Sequence, residues 1–428
     1  MSAGYAITTY KIQLNYKHLD WFKQTQSLFD AVLAFYYKLL EKQPETLSLS
    51  NQNLLRHLEL QTIKQRDGTP PETPLPFEKI PLYFRRAAIN AAISMYRSYV
   101  GKLKAWQEGP IKSGKPSPPK RLHMSMLYYK GMYKDFDEKS ILLKLYTGKT
   151  WAWVKHRYTG RPFPENAELM SPTIVIKKKK VMLHIPVKEI VEDSRTAKER
   201  VKQNEKFVAV ALTGSDSLAV CTTIEADGRA TAPYFIKGGK ELAHRRKLLL
   251  GYTKRGIAGN DMTHTVGNAA LSVPQGHRPN KKYYDKITRL TDHYAHEVSR
   301  KIVDYAIKQG AKLIVLPELK ESFDQAKKPY LGKTPYDFIG RRIARYVQYK
   351  AWQQGLVAMT SKPYYASTRC YHCDAPIAKH NTEYQNPSVN FYGGKNFVCK
   401  EGHRGSTALN SARNLGKGFY ERFYLGVA

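Results

Sequence analysis

Acidic residues are scarce in this chain. Asp and Glu number 36 against 70 Lys and Arg, which leaves a formal charge of +34 over 428 residues. That imbalance excludes a neutral surface and calls for an anionic partner. A long polyanion fits best, because each phosphate neutralised by a cation releases condensed counterions. An anionic membrane is the weaker candidate, since there is no basic amphipathic anchor and no apolar run of transmembrane length. Cysteine is equally sparse: Cys221, Cys370, Cys373 and Cys399. Three of the four crowd toward the C-terminus, which is not the pattern of a secreted disulfide scaffold. The opening MSAGYAITTYKIQL lacks the apolar stretch of a signal peptide, so a cytoplasmic location is expected. No internal repeat and no low-complexity tract breaks the chain.

Hydrophobic residues make up 42% of the sequence, enough for a sizeable core, and the length suits two to four domains. There are 30 tyrosines. Interleaved with cations they suit stacking on unpaired bases, though many read equally well as packing residues. Tyr5–Leu14 alternates and is β-branched, as in a strand. Helical spacing follows from Trp21 to Leu40, with Trp21, Leu28, Val32, Phe35 and Leu39 on one face. Asp67–Pro76 is a Pro-rich loop, and Tyr83–Trp106 a second, strongly basic helix. A Gly/Pro/Lys stretch ending at Arg121 marks a boundary. Residues 122–190 look β-rich, with Lys177–Lys180 at a hairpin turn that is either simply solvated or a phosphate contact. Glu192–Glu205 reads as a linker helix.

Beyond it, FVAVALTGSDSLAVCTTIEADGRATAPYFI is expected to form an antiparallel meander. A basic helical region and a long helix carrying Ile287, Leu290, Tyr294, Val298 and Ile302 come next. KLIVLPEL is a buried strand, Phe338–Gln354 a helix and LVAMT a short strand. Strands in a row, then helix–strand–helix–strand, fit an RNase H-like α/β core.

Cys370-Tyr-His-Cys373 is followed by Cys399 and then by His403. Two-residue spacing lets both thiolates reach one tetrahedral ion, and a second knuckle supplies the rest. A four-Cys ribbon would carry a cysteine where Gly402 stands, so His403 is the substitute ligand, with His372 and His380 as rivals. A decayed, metal-free loop is the plain alternative.

The order of these pieces resembles TnpB and the type V CRISPR effectors. The resemblance is strongest over residues 205–420. Arg341–Cys373 contains the Tyr349-Lys350 pair and the turn Ala366-Ser-Thr-Arg-Cys370, and ALNSARNLGKGF is similar to a closing helix that normally reads Asp-x-Asn-Ala-Ala-x-Asn. The resemblance implies a multidomain α/β protein: an RNase H-like (RuvC) core with an inserted zinc ribbon, a β-barrel wedge lobe and a helical recognition lobe. The expected divisions are 1–18 (first wedge strand), 19–107 (recognition lobe), 108–190 (wedge lobe), 191–204 (linker), 205–365 (RuvC-like core), 366–405 (zinc ribbon) and 406–428 (closing helix).

In that family three carboxylates hold two metal ions that clamp the attacking and leaving oxygens. The position of the first, in Gly-Ile-Asp-Leu-Gly, is Ala211 here. The second, in Glu-Asp-Leu, is Pro317, and the third, before x-Asn-Ala-Ala, is Ala408. Glu318 shifted by one residue, or Asp216 in the following turn, could stand in for two of them. No acid stands near Ala408.

The resemblance therefore implies a nuclease-dead, RNA-guided binder of double-stranded DNA, not an enzyme, with a guide RNA and a structural Zn2+ as its cofactors. It implies a nucleoid-associated protein that regulates transcription by repression or recruitment, with a transcription or transposition protein as a further partner. The alternatives are an active TnpB-like nuclease with a displaced site, a targeting subunit for transposition, and an RNA-binding protein without a DNA role. A short flanking motif would be read at the basic start of the second helix, by Lys79, Tyr83, Arg85, Arg86, Asn90 and Arg97. Asn can read adenine and Arg guanine, and phosphate-only contacts serve the arginines as well.

Overall fold

The computed structural model describes residues 4–65, 68–109, 114–137, 139–165, 167–214, 216–264, 280–319, 335–363, 365–379 and 395–426. The chain divides into two compact units. One is Ile7–Ile190, and the other joins Val191–Ala428 to the chain's start through Ala6.

The first unit sets helices against a sheet. Strand β1 (Tyr5–Leu14) leads into α1 (Leu19–Lys42), α2 (Asn51–Thr62) and α3 (Leu82–Glu108). Then come β2 (Met126–Leu127), β3 (Tyr133–Lys134), β4 (Ser140–Tyr146), β5 (Trp151–Thr159), β6 (Glu168–Leu169), β7 (Thr173–Lys177) and β8 (Lys180–Ile190). The sheet order is β2-β7-β8-β1-β5-β4-β3, with β6 on β8, so the first strand sits among strands from far along the chain. The β7–β8 hairpin closes at Lys178 and Lys179, with Lys177 paired to Lys180 and Lys178 at φ +55°.

Two expectations are corrected in this unit. Of the residues expected on the inward face of α1, Val32 and Leu39 are buried, together with Phe22, Phe29, Leu33, Tyr36 and Leu40, while Trp21, Leu28 and Phe35 are only half-buried beside them. Apolar residues occupy more than one stripe of this helix, and packing against α3 and β4 selects which one goes inside. Helix α2 went unread because its sequence is polar. It is capped by Ser50, whose side chain accepts the Asn53 amide, and it is anchored by Leu54 and Leu58.

The second unit begins with a helix shorter than the expected linker, α4 (Ala197–Lys202), closed by a Thr196–Glu199 capping box. Arg200 is fully buried there and donates to the carbonyls of Asp193, Arg195, Lys312 and Gly355. Strands β9 (Phe207–Leu212), β10 (Ser217–Ile224) and β11 (Ala230–Lys237) form the expected meander. Helices α5 (Gly239–His264) and α6 (Lys281–Lys308), strand β12 (Leu313–Pro317), helix α7 (Pro335–Gln353) and strand β13 (Val357–Ser361) follow. The five-stranded order is β11-β10-β9-β12-β13. Strands β9 and β12 are parallel and wholly buried, as their apolar runs require. One face of the sheet packs on α6 and α7, the other on the last helix, α8 (Thr407–Phe423). Between β13 and α8 lies a small antiparallel ribbon of β14 (Ile377–Lys379), β15 (Asn396–Cys399) and β16 (Arg404–Ser406).

Lys350, from the Tyr-Lys pair, donates to the His296 carbonyl at 2.6 Å and to Ser299 Oγ at 2.8 Å, fastening α7 to α6. Burial and then the nearby Arg300 bring its ammonium pKa down to about 8.

Candidate metal centre and the sheet-edge positions

The ribbon is built to bring four side chains together. Asp374, at φ +59°, closes the first knuckle, and its amide donates back to the Cys370 carbonyl. Gly402, at φ +80°, closes the second, where a residue with a side chain would be strained. Across that turn the Cys399 amide donates to the His403 carbonyl at 3.0 Å. One donor atom from each of Cys370, Cys373, Cys399 and His403 lies within 4.8 Å of all the others. Cys370 and Cys399 are buried, Cys373 is half-buried and His403 is exposed. The sulfurs of Cys373 and Cys399 stand 3.6 Å apart, and Cys399 Sγ stands 3.4 Å from His403 Nδ1. A disulfide needs about 2.05 Å between sulfurs. Tetrahedral ligation at about 2.3 Å per Zn–S bond places them about 3.8 Å apart, so this separation fits a shared ion. His372 stacks its ring on His403 at 5.3 Å instead of joining the four. The rival His380 lies outside the described residues.

A second set of side chains ties the ribbon to α8. Asn410 is almost fully buried. Its Oδ1 accepts the Tyr371 amide at 2.9 Å, and its Nδ2 donates to the Arg369 carbonyl at 2.7 Å. Asn414, one turn on, donates to the carbonyls of Arg369 and Ala366. The sequence reading noted the Asn-containing segment without a task for it. The signal was the spacing, since residues four apart share one helix face.

The three positions expected to lack carboxylates converge. Leu313, Ile314 and Val315 pair with Phe207, Val208 and Ala209. The same register carried two residues on sets Pro317 level with Ala211, and strand alternation puts both on the side that Ala209 and Val315 turn toward α8. Helix α8 runs opposite to β9: Phe419 meets Phe207 at 5.0 Å, while Gly416 presses on Ile224 and Ala209. A Cβ at Gly416 would come within 2.6 Å of Ile224 Cδ1, so the helix could not lie this close with any larger residue. That direction carries Ala408, in the first turn of α8, to the same end of the sheet. The substitutes stand elsewhere. Asp216 lies in the β9–β10 turn with its carboxylate 3.9 Å from Lys240 Nζ. Glu318 is exposed beyond the end of β12, its amide donating to the Ser361 carbonyl at 2.8 Å. Among the described residues, the Cys/His ribbon is the one group of three or more His, Cys, Asp or Glu side chains close enough to share an ion.

At the start of α3 the structure commits several candidate nucleic-acid contacts to internal bonds. Arg85 and Arg86 both pair with the buried Glu59 at 2.9 Å, which holds the Arg86 guanidinium pKa above its usual value. Arg97 donates to the Leu47 and Leu49 carbonyls and to Asn51 Oδ1. Asn90 Nδ2 donates to the Tyr129 hydroxyl at 3.0 Å. Lys79 and Tyr83 remain exposed.

Comparison with known proteins meets this geometry from two sides. Residues 6–147 match the Aq_aa04 family. Over 139 residues the chain is 30% identical to the CRISPR-associated endodeoxyribonuclease Cas12f1 of Sulfoacidibacillus thermotolerans, a match spanning 32% of this chain and 29% of that relative. The Cas12f1 chain in the cryo-EM structure of a Cas12f1–sgRNA–target DNA complex is similar over 94% of this chain and 83% of its own length, at 13% identity and a TM-score of 0.56. AacC2c1, in a ternary complex with sgRNA and extended non-target DNA, is similar over 94% of this chain and 70% of its own, at 11% identity and a TM-score of 0.50. The class is therefore a multidomain α/β protein with the fold of the type V effectors. The resemblance to the TnpB and type V CRISPR effector family is borne out. Among the described residues no helix is long and apolar enough to cross a membrane.

Proposed function

We propose that this chain binds double-stranded DNA under the direction of a guide RNA and does not cleave it. The observation that carries this reading is the convergence of Ala211, Pro317 and Ala408 at one end of an intact sheet. Two methyl groups and a proline ring offer no oxygen to a divalent ion, and two-metal phosphodiester hydrolysis depends on such oxygens. Guide direction is supported by the type V fold and by the +34 charge. In such proteins base pairing reads sequence, while the protein reads a short flanking motif and duplex shape.

On this reading residues 205–365 with 406–428 are the RuvC-like core, 366–405 the zinc ribbon, 19–107 the recognition lobe, and 1–18 with 108–190 the wedge lobe. Lys79 and Tyr83 are free to meet the flanking duplex, with Asn90, Arg85, Arg86 and Arg97 shaping the surface behind them. Bound without cutting, the complex blocks or recruits at promoters and so regulates transcription.

Zn2+ held by Cys370, Cys373, Cys399 and His403 would tie the ribbon together and leave no open position for catalysis. Elemental analysis tests this: close to one zinc per chain is expected, with weaker retention in His403→Ala. The function is tested by loading the protein with its copurifying RNA and capturing a matched duplex at rising salt. Guide-dependent capture that weakens steeply with salt is expected. No capture at all would leave an RNA-binding protein without a DNA role, and capture that ignores the guide sequence would leave a non-specific DNA binder.

A further inference from the structure

The outer face of the β4–β5 hairpin carries a group of side chains that neither the Cys/His ribbon nor the sheet-edge positions engage. Lys144 pairs with Trp153, Leu142 with Lys155 and Ser140 with Arg157, and β3 lays Lys134 beside Leu142. Side chains alternate across a sheet, so Trp153, Lys155 and Arg157 share one face while His156 is buried behind them. Trp153 is 39% exposed, although a tryptophan gains much by burial. Lys134 Nζ and Lys144 Nζ lie 4.7 and 5.7 Å from its ring centroid. The track continues into a cleft of about 1650 Å³, where Lys155 and Arg157 meet Lys17 and where His18 stacks on Trp21 at 4.3 Å. The acidic residue of that cleft, Asp137, spends its carboxylate on the Lys139 amide and on the amide and hydroxyl of Ser140. Those bonds keep Asp137 ionised, yet Lys17, Lys139, Lys155 and Arg157 outnumber it, so the cleft is net positive.

We propose that this face binds an unpaired stretch of nucleic acid, with one base stacked on Trp153 and the backbone running along Lys155 and Arg157 into the cleft. Residues two apart on a strand stand about 7 Å apart, near the reach of one extended nucleotide. An exposed cation–π contact is weaker than base stacking. Lys134 and Lys144 therefore give way to the base and turn to its flanking phosphates. The ligand chemistry, a base with its phosphates, is common to single-stranded RNA and DNA. The inference rests on the proposed partner class, nucleic acid, and does not require a guide.

The test uses full-length protein freed of nucleic acid by high salt. It is titrated with labelled oligouridylate, oligothymidylate and an abasic oligomer of equal length and charge, read by anisotropy. Trp153→Leu should weaken binding of the two base-bearing oligomers on the order of tenfold and leave the abasic oligomer unchanged, and Trp153→Phe should restore most of the affinity. Lys144→Gln should weaken all three and flatten the salt dependence. Tighter RNA binding assigns the face to the guide, and tighter DNA binding assigns it to a displaced strand. The proposal is overturned if Trp153→Leu binds all three like the parent, or loses all three alike. Should Trp153→Leu not fold, the proposal falls if Trp153→Phe and Lys144→Gln both bind all three like the parent. Guide-dependent duplex capture, run in parallel, tests the function separately, since its failure would leave the oligomer result standing.

Discussion

The Cys/His ribbon and the five-stranded sheet meet at α8, yet they have kept opposite things. The ribbon keeps all four donor atoms and almost no apolar core: Cys370, Ile377, Phe397 and Cys399 are its buried cluster. The sheet keeps its packing on both faces, while the end where α8 begins offers alanine and proline. A ribbon this small cannot hold its shape by burial, so its polar donors are structural. A buried five-stranded sheet does not depend on the chemistry of its edge, so the edge can change without loss of fold. Fold and donor chemistry coincide in the ribbon and are separable in the sheet.

The largest expected effect breaks the ribbon alone. Cys370→Ser, or treatment with a chelator, should abolish hydrogen-exchange protection in β14, β15 and β16 and leave β9 and β12 protected. Structural zinc contributes on the order of 10 kcal/mol to such small domains. Simultaneous loss of protection in the sheet would show that the two regions are one cooperative unit.

A smaller effect strikes the sheet. Ala211 is 6% exposed, so Ala211→Asp puts an unpartnered carboxyl beside β12 and should cost about 2 kcal/mol or more in urea denaturation without divalent ions. An introduced carboxylate that costs nothing would mean that position 211 opens to solvent or to a partner cation.

Asn410→Ala addresses the joint. It orphans the Tyr371 amide, removes one of the two donors to the Arg369 carbonyl while Asn414 keeps the other, and should cost about 1–3 kcal/mol. Ribbon exchange should accelerate while the metal content stays unchanged, and metal loss instead would put Asn410 in the ligand support.

The smallest effect concerns pH and bears on the segment that leads into the sheet. Hydrogen bonding from Arg195 brings the Asp193 pKa down to about 2. The unfolded carboxyl titrates near ~3.9, so the unfolded chain binds more protons between these values. The contribution of Asp193 is present above about pH 4 and lost as pH falls toward 2. Asp193→Asn should flatten that acid limb by lowering stability above about pH 4, where the ionised carboxylate holds Arg195 and the buried Arg200, and leave stability near pH 2 little changed.

The sequence made some of this visible and hid the rest for physical reasons. The apolar runs at Phe207–Leu212 and Leu313–Pro317 announced buried strands, because parallel strands covered on both faces cannot alternate. The Cys and His spacings carried their own geometry. The inward face of α1 was legible only at Val32 and Leu39, because several of its stripes are apolar and only tertiary packing chooses among them. Helix α2 was missed because two leucines and a serine cap hold it. Arg85, Arg86 and Arg97 looked free because sequence does not reveal that Glu59 and two backbone carbonyls already engage them. Trp153 was invisible as a site, since only the β4–β5 register places Lys144 across from it.

The central claim is retained binding on a frame without cleavage. It is tested most directly by incubating the guide-loaded protein with its matched duplex in Mg2+ or Mn2+ and following both complex formation and strand scission. The account predicts a stable complex with no scission above a metal-free control. Guide-dependent nicking that disappears in Glu318→Ala would contradict it and place the active carboxylate one residue beyond Pro317.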